Sequence, residues 1–349
     1  MSNIRLQQAF LRQSRACREL GSLFTERLLR VVAENFTYSG GVWKEMVDWP
    51  GDLGPNGDSV PLRLAGTLHA LVLEGIDETL SSVYPPNHTD ISDNVLWSAV
   101  EGAIERNGIF VSQRLKNAPQ TNEVRRSSIL FPGFMEIVEV TGLSNFVMSE
   151  VGASAGLNLI WDKYLYTLAG EKWGDETSRI HLEPDWSGSP PIFHDIKVIG
   201  REGCDLNPLM LDDEPQRRRL MSYVWPDQDD RISRTKSAIE LYRKSGATVK
   251  PTDAIPWLKQ RLSERYEGCV HVIYNTIAWQ YLPAEKQKEG HTLIQSAGEK
   301  ATPEAPLAWL SFEADGNEPG AVLKLTIWPS GETRELARAD FHGRWVKWL

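Results

Sequence analysis

Cysteine is scarce in this chain. Three thiols, Cys17, Cys204 and Cys269, stand far apart in 349 residues with no C-x-x-C pair. That spacing excludes a disulfide framework and a thiolate zinc site, and it suits reduced, intracellular thiols. Positive charge is also short: 38 lysines and arginines face 47 acidic residues, a formal net charge of −9. Such a balance disfavours broad binding to nucleic acid or an anionic membrane and favours a small-molecule or protein substrate. No apolar run approaches the roughly 20 residues of a membrane span. The opening MSNIRLQQAFLRQSRACREL lacks the uninterrupted apolar core of a signal peptide. A soluble, cytoplasmic protein is expected. What the chain has is bulk, with 41% hydrophobic residues and 13 tryptophans, enough for one large core or two.

The most informative stretch is 145–162, NFVMSEVGASAGLNLIWD. An apolar run, Phe146-Val147-Met148, leads to Glu150, and small residues follow at Gly152, Ser154 and Gly156. From Leu157 the apolar spacing turns helical, with Leu157, Ile160, Trp161, Tyr164 and Leu165 on one face. The pattern predicts strand, tight turn and helix. Small residues let the backbone approach a ligand, and the first N–H groups of a helix carry partial positive charge toward it. A plain strand-to-helix turn tightened by small residues is the simpler explanation of the same pattern.

Ahead of this stretch the periodicity is helical: two helices up to about residue 36, a break at Tyr38-Ser-Gly-Gly41, then helices over 62–73 and 94–115. His69 sits inside one of them as a packed or surface residue. The expected organisation is an N-terminal helical domain over 1–135, capping an α/β domain over 136–349 with an insertion near 171–192. Residues 119–134, PQTNEVRRSSILFPGF, cluster Asn122, Glu123 and Arg126 before an apolar run. They serve either as a ligand-contacting loop or as a helix cap at Thr121 or Asn122.

Beyond the turn, strands are expected at 194–200, 247–254, 269–276 and 307–313, with helices between them and a hairpin over 321–339. Strand and helix in alternation give a parallel sheet with right-handed crossovers, and such sheets bind ligands at the carboxyl ends of their strands. Glu150, Gly152, Asp205, Asp253 and Asn275 all fall at those ends. A carboxylate past the second strand, such as Asp205, can accept hydrogen bonds from both ribose hydroxyls. Asp253 either lies near a bound base or caps the following helix.

The pattern E-x-G-x-S-x-G resembles the glycine-rich loop after the first strand of class I S-adenosylmethionine-dependent methyltransferases, with Ser154 where that family usually has glycine. The resemblance implies a Rossmann-like, mostly parallel sheet ending in an antiparallel hairpin. It implies S-adenosylmethionine as cofactor, held by Glu150, Gly152, Ser154, Gly156, Asp205 and Asp253, and no metal. Asn275 and Tyr281 fall where such enzymes place acceptor-binding groups, with Asn122, Glu123 and Arg126 facing them. Residues 314–321, ADGNEPGA, depart from that family by leaving no room for a helix before the hairpin. Over nearly the whole chain, PQTNEVRRS, EVGASAGLNLIWDKY, GCDLNP, VWPDQDDR and FHGRWVKW resemble a bacterial family known as DUF2332, which supplies no substrate.

Two other functions fit the same residues. Gly152-Ala-Ser154-Ala-Gly156 matches G-x-S-x-G, the nucleophile elbow of α/β-hydrolases, with Asp253 and His342 in the required chain order. Against a hydrolase, the elbow would follow several strands where this chain reads as helical, and no oxyanion segment precedes it. The third possibility is a catalytically silent binding protein of the methyltransferase fold. His342-Gly343-Arg344-Trp345 either reaches the site or anchors the C-terminus.

Overall fold

The structure, a computed structural model, describes residues 2–349 except 38, 39, 56 and 89. Tyr38 and Ser39, the start of the expected break after the second helix, lie outside the described residues. The chain forms two compact units, one comprising Met1–Thr121 with Asp213–Ser233, the other Asn122–Asp212 with Arg234–Leu349. The division therefore falls at 121/122, ahead of the 135/136 expected from sequence, and Asp213–Ser233 returns to the first unit.

In the first unit the elements up to residue 121 are helices: α1 (Ser2–Glu19), α2 (Leu23–Asn35), α3 (Gly41–Val47), α4 (Val60–Leu73), α5 (Glu78–Ser81), α6 (Asp93–Arg106) and α7 (Gly108–Leu115). Their apolar stripes meet in one core of Leu6, Phe10, Phe24, Leu28, Leu64, Leu68, Leu96 and Val100, all nearly inaccessible to water. Ser22, Asp77 and Ser92 cap α2, α5 and α6 through their side chains. His69 is buried in α4 with Nδ1 3.2 Å from the Ser222 carbonyl, and burial lowers its pKa to about 4.

The second unit is mixed α/β around a nine-stranded sheet. Its strands are β1 (Asn145–Val151), β5 (Asp185–Ser187), β6 (Lys197–Asp205), β7 (Thr248–Pro251), β8 (Val270–Thr276), β9 (Leu307–Glu313), β10 (Ala321–Trp328), β11 (Glu332–Ala339) and β12 (Trp345–Trp348), in the spatial order β5-β12-β11-β10-β9-β8-β1-β6-β7. From β7 to β9 every pairing is parallel, and β9 to β12 run antiparallel. Taken in chain order, the parallel strands stand 3-2-1-4-5, so the order reverses at β1. Among the described residues no strand precedes β1. The 171–192 interlude is less irregular than its turn formers imply. It carries β3 (Glu171–Trp173) and β4 (His181–Leu182), which join β2 (Leu165–Leu168) in a small second sheet, and it ends in β5 on the edge of the main one.

Helices cover both faces. The helix α8 (Ser127–Thr141) packs Phe134 against Phe146, Trp161 and Tyr274. On the other face α11 (Ala254–Arg261) and α12 (Ala284–Gly298) bury Trp257, Leu258 and Ile294 with Val151, Ile273 and Leu307. Trp225-Pro226 separates α9 (Glu214–Ser222) from α10 (Asp229–Ser245). No helix of the described residues is long and apolar enough to cross a membrane.

The helix expected from Leu157 is the main departure. A seven-residue 3-10 segment, Leu157–Lys163, takes its place, kinked at Ile160, and Tyr164 and Leu165 are already extended or in β2. Side chains capture the carbonyls that an α-helix would use. Tyr164 Oη donates to the Leu157 carbonyl at 2.5 Å, Tyr274 Oη to that of Asn158 at 3.3 Å, and Arg201 Nη1 to that of Leu159 at 2.8 Å. These side chains draw the three carbonyls off the axis an α-helix would use, and the segment stays in tighter 3-10 turns.

Candidate functional site

Between β1 and the 3-10 segment the chain turns on residues 152–156. Gly152, Ser154 and Gly156 all have positive φ, at 70°, 52° and 78°. The two glycines are demanded by contact as well as conformation. A Cβ on Gly152 would collide with Cβ of Ala278, and one on Gly156 would lie 2.6 Å from the Tyr242 ring and 2.9 Å from Val249. Ser154 bears the left-handed conformation with a side chain attached, and its buried Oγ has no hydrogen-bond partner among the described residues.

Asp205, the last residue of β6, holds this turn. Its Oδ2 accepts the Ser154 N–H at 2.9 Å and its Oδ1 the Asn207 N–H at 2.9 Å. Asn122 closes the far side, its Oδ1 accepting the Leu157 N–H at 2.6 Å. That side chain thus satisfies the start of the 3-10 segment, while Glu123 caps its own short turn by accepting from Arg125. Arg126 reaches the end of β8, donating to the Thr276 carbonyl at 3.2 Å and to the Phe341 carbonyl at 2.9 Å.

Glu150 lies beneath the turn, fully buried, with Oε2 3.3 Å from Tyr274 Oη, whose one hydrogen has Glu150 and the Asn158 carbonyl as alternative acceptors. Burial pushes its carboxyl up to about 8; the Tyr274 hydroxyl opposes that shift, the nearby Asp205 charge adds to it, and Arg126 subtracts from it. At neutral pH Glu150 is mostly protonated and can donate a hydrogen bond. Asn158, also fully buried, accepts from Ser127 Oγ at 2.7 Å through Oδ1 and leaves its Nδ2 unpaired.

Not every candidate joins this cluster. Glu150 pairs in register with Tyr274, and Val151 with Asn275. Successive side chains of a strand point to opposite faces, so Asn275 projects to the face away from Glu150. There its amide donates to Ser311 at 3.0 Å and to Glu313 at 2.7 Å, and accepts from Trp309 Nε1 at 2.9 Å. Asp253 is the side-chain cap of α11, accepting the Ile255 N–H at 2.9 Å, with Lys286 4.0 Å away. Tyr281 is 65% exposed. The closing FHGRWVKW segment is anchored: Trp345–Trp348 is a strand paired with β11 and β5, and Trp348 stacks on Trp186. The turn before it lies against residues 125–126 through Phe341 and Gly343.

A family described as an uncharacterized protein conserved in bacteria, DUF2332, matches residues 7–348. The chain belongs to the DUF2332 family. No curated protein and no solved structure matches it.

Three residues of this DUF2332 chain escaped sequence reasoning. Tyr274 is the partner of Glu150; its only signal was a polar aromatic inside the apolar run VHVIYNT, at the position in register with an acid. Asn158 was hidden by the helical period imposed on 157–165. Glu313, at the end of β9, accepts the N–H groups of Ala278 and Trp279 at 2.8 and 2.9 Å and shapes the loop after β8. Nothing local marks it, since its partners are more than 30 positions away.

Proposed function

We propose that this DUF2332 member is a methyltransferase-like enzyme that holds S-adenosylmethionine on the carboxyl rim of β1 and acts on a small molecule. The observation that carries this is the 152–156 turn. Its three positive-φ residues fold a tight turn, largely buried with Gly152 half-buried, at the place where the strand order reverses, which is where open α/β sheets take nucleotide ligands. The strand order 3-2-1-4-5 supports a Rossmann-like arrangement.

The residues present suit the cofactor. Among the described residues Ser154 Oγ and Asn158 Nδ2 are buried polar atoms without protein partners, as groups meant for a ligand would be. Each Asp205 oxygen accepts one N–H and retains a lone pair for a ribose hydroxyl. Bound, the cofactor supplies an electrophilic methyl group. The chain's part is to align acceptor and methyl and to surround the fading positive charge with dipoles. Glu150, Tyr274 and Arg126 are the groups at hand, whereas Asn275 supports the sheet. The scarcity of cysteine fits a reducing, cytoplasmic setting.

Calorimetry with S-adenosylmethionine and its demethylated product tests the proposal. Saturable binding of either, weakened in Asp205→Ala by about 1 to 3 kcal/mol, is expected. No heat with either ligand from cooperatively folded protein overturns it.

One observation keeps a serine hydrolase in view: Ser154 has the strained φ of a nucleophile elbow. Among the described residues, however, no histidine hydrogen-bonds its Oγ. Labelling of Ser154 by a fluorophosphonate would favour the hydrolase. Failure of both assays leaves the silent binding protein.

A further inference from the structure

A cavity of about 340 Å³ opens on the face of the sheet opposite Glu150, at the amino ends of β8 and β9, between the end of α11 and α12. Its size is that of a site for a single-ring molecule. Leu262, Leu293, Ala297 and Leu307 give it an apolar wall. Three cations, Lys259, Arg265 and Lys300, line it against one acid, Glu264, in a chain whose net charge is −9. Arg265 is fixed by donating to the Lys300 carbonyl, and Tyr266 Oη donates to Glu264 at 2.6 Å, which draws on the one anion there.

The inner end of the cavity is polar and built. His271 lines it, only 6% exposed, with the Tyr266 ring edge-on at 5.2 Å. Arg261 Nε donates to Ser149 Oγ at 2.9 Å, and Ser149 Oγ lies 2.9 Å from His271 Nε2. With Ser149 Oγ accepting from Arg261 and its own hydrogen turned to the imidazole, the tautomer we assign has Nε2 as acceptor and the proton on Nδ1. Among the described residues Nδ1 has no protein partner. Burial and the Arg261 charge lower the His271 pKa to about 3, so the ring stays neutral.

We propose that this cavity binds a small organic anion of single-ring size, its apolar body against Leu262 and Leu307, its charge at Lys259 and Lys300, and an acceptor atom on His271 Nδ1–H. This site is separate from the rim of β1 and does not rest on the methyltransferase assignment.

Phenyl phosphate is the probe, with inorganic phosphate and benzyl alcohol as its two halves. Calorimetry should give saturable binding of phenyl phosphate about tenfold or more tighter than of either half. In long-range histidine NMR spectra the His271 Nδ1 resonance should move on saturation. Lys259→Glu/Lys300→Glu, at exposed positions that leave the fold intact, should weaken binding about tenfold or more. Equal affinity for inorganic phosphate, an unmoved His271 resonance, or undiminished binding by the double variant would each overturn the proposal. None of these outcomes bears on S-adenosylmethionine at the rim, because no probe contains a nucleoside.

Discussion

Asp205 Oδ2 accepts the Ser154 N–H at 2.9 Å, so the carboxylate assigned from sequence to a ligand also holds the turn that would receive it. Its other oxygen does the same for Asn207. Asp205→Ala leaves two N–H groups of the rim unpartnered and should cost about 1 to 3 kcal/mol in urea denaturation. Asp205→Asn, which keeps one acceptor, should lose less. If both variants unfold at the wild-type midpoint, the clamp contributes nothing.

Ser154 holds φ at 52° with a buried, unpaired hydroxyl, two unfavourable features at one residue. Ser154→Gly removes both, and its gain is offset by the greater freedom of glycine in the unfolded chain. Stability unchanged or raised by about 1 kcal/mol is expected. A clear loss would mean that the hydroxyl has a structural partner, and the ligand-facing assignment would fall.

Glu150 makes stability depend on pH. Its folded-state pKa is raised from 4.5 to about 8 by burial. Its contribution is therefore fully present below pH 4.5 and is lost progressively as pH rises through 8. Glu150→Gln should flatten that decline in a series of denaturation midpoints between pH 5 and 9. An unchanged slope would show that Glu150 is ionised in the folded protein at neutral pH.

His69 and His271 work at the acid side. Burial lowers their pKa values from 6.5 to about 4 and about 3. Each stays neutral in the folded protein while the unfolded form takes up a proton, so stability falls as pH drops below 6.5. His69→Gln should reduce the loss between pH 6 and 4; equal acid sensitivity in wild type and variant contradicts its buried neutral state.

Asn275 bridges Trp309, Ser311 and Glu313 on the face away from Glu150. Asn275→Ala strands those three groups and should destabilise by about 2 to 4 kcal/mol. The variant that remains folded should bind S-adenosylmethionine with wild-type affinity. Selective loss of binding with stability intact would instead favour the acceptor-binding role expected from sequence.

Much of this protein was legible in local pattern. The strand from Asn145, the turn of small residues, the acids at strand ends and the closing hairpin lie within a few positions of the residues that define them. Periodicity and turn chemistry act over that range, and alternation in VHVIYNT was enough to place β8. The face each side chain would take was not legible. Glu150 and Asn275 both end parallel strands, yet the register of β1 on β8 sets Glu150 beside Tyr274 and sends Asn275 to the other side. A one-residue difference in parity decides that, and pairing between strands more than 100 positions apart leaves no mark in either segment. The helical spacing after Leu157 failed for the same reason. Hydroxyls and a guanidinium, two of them from distant strands, hydrogen-bond the carbonyls of Leu157 to Leu159, and a local period cannot register a partner that only folding brings within reach.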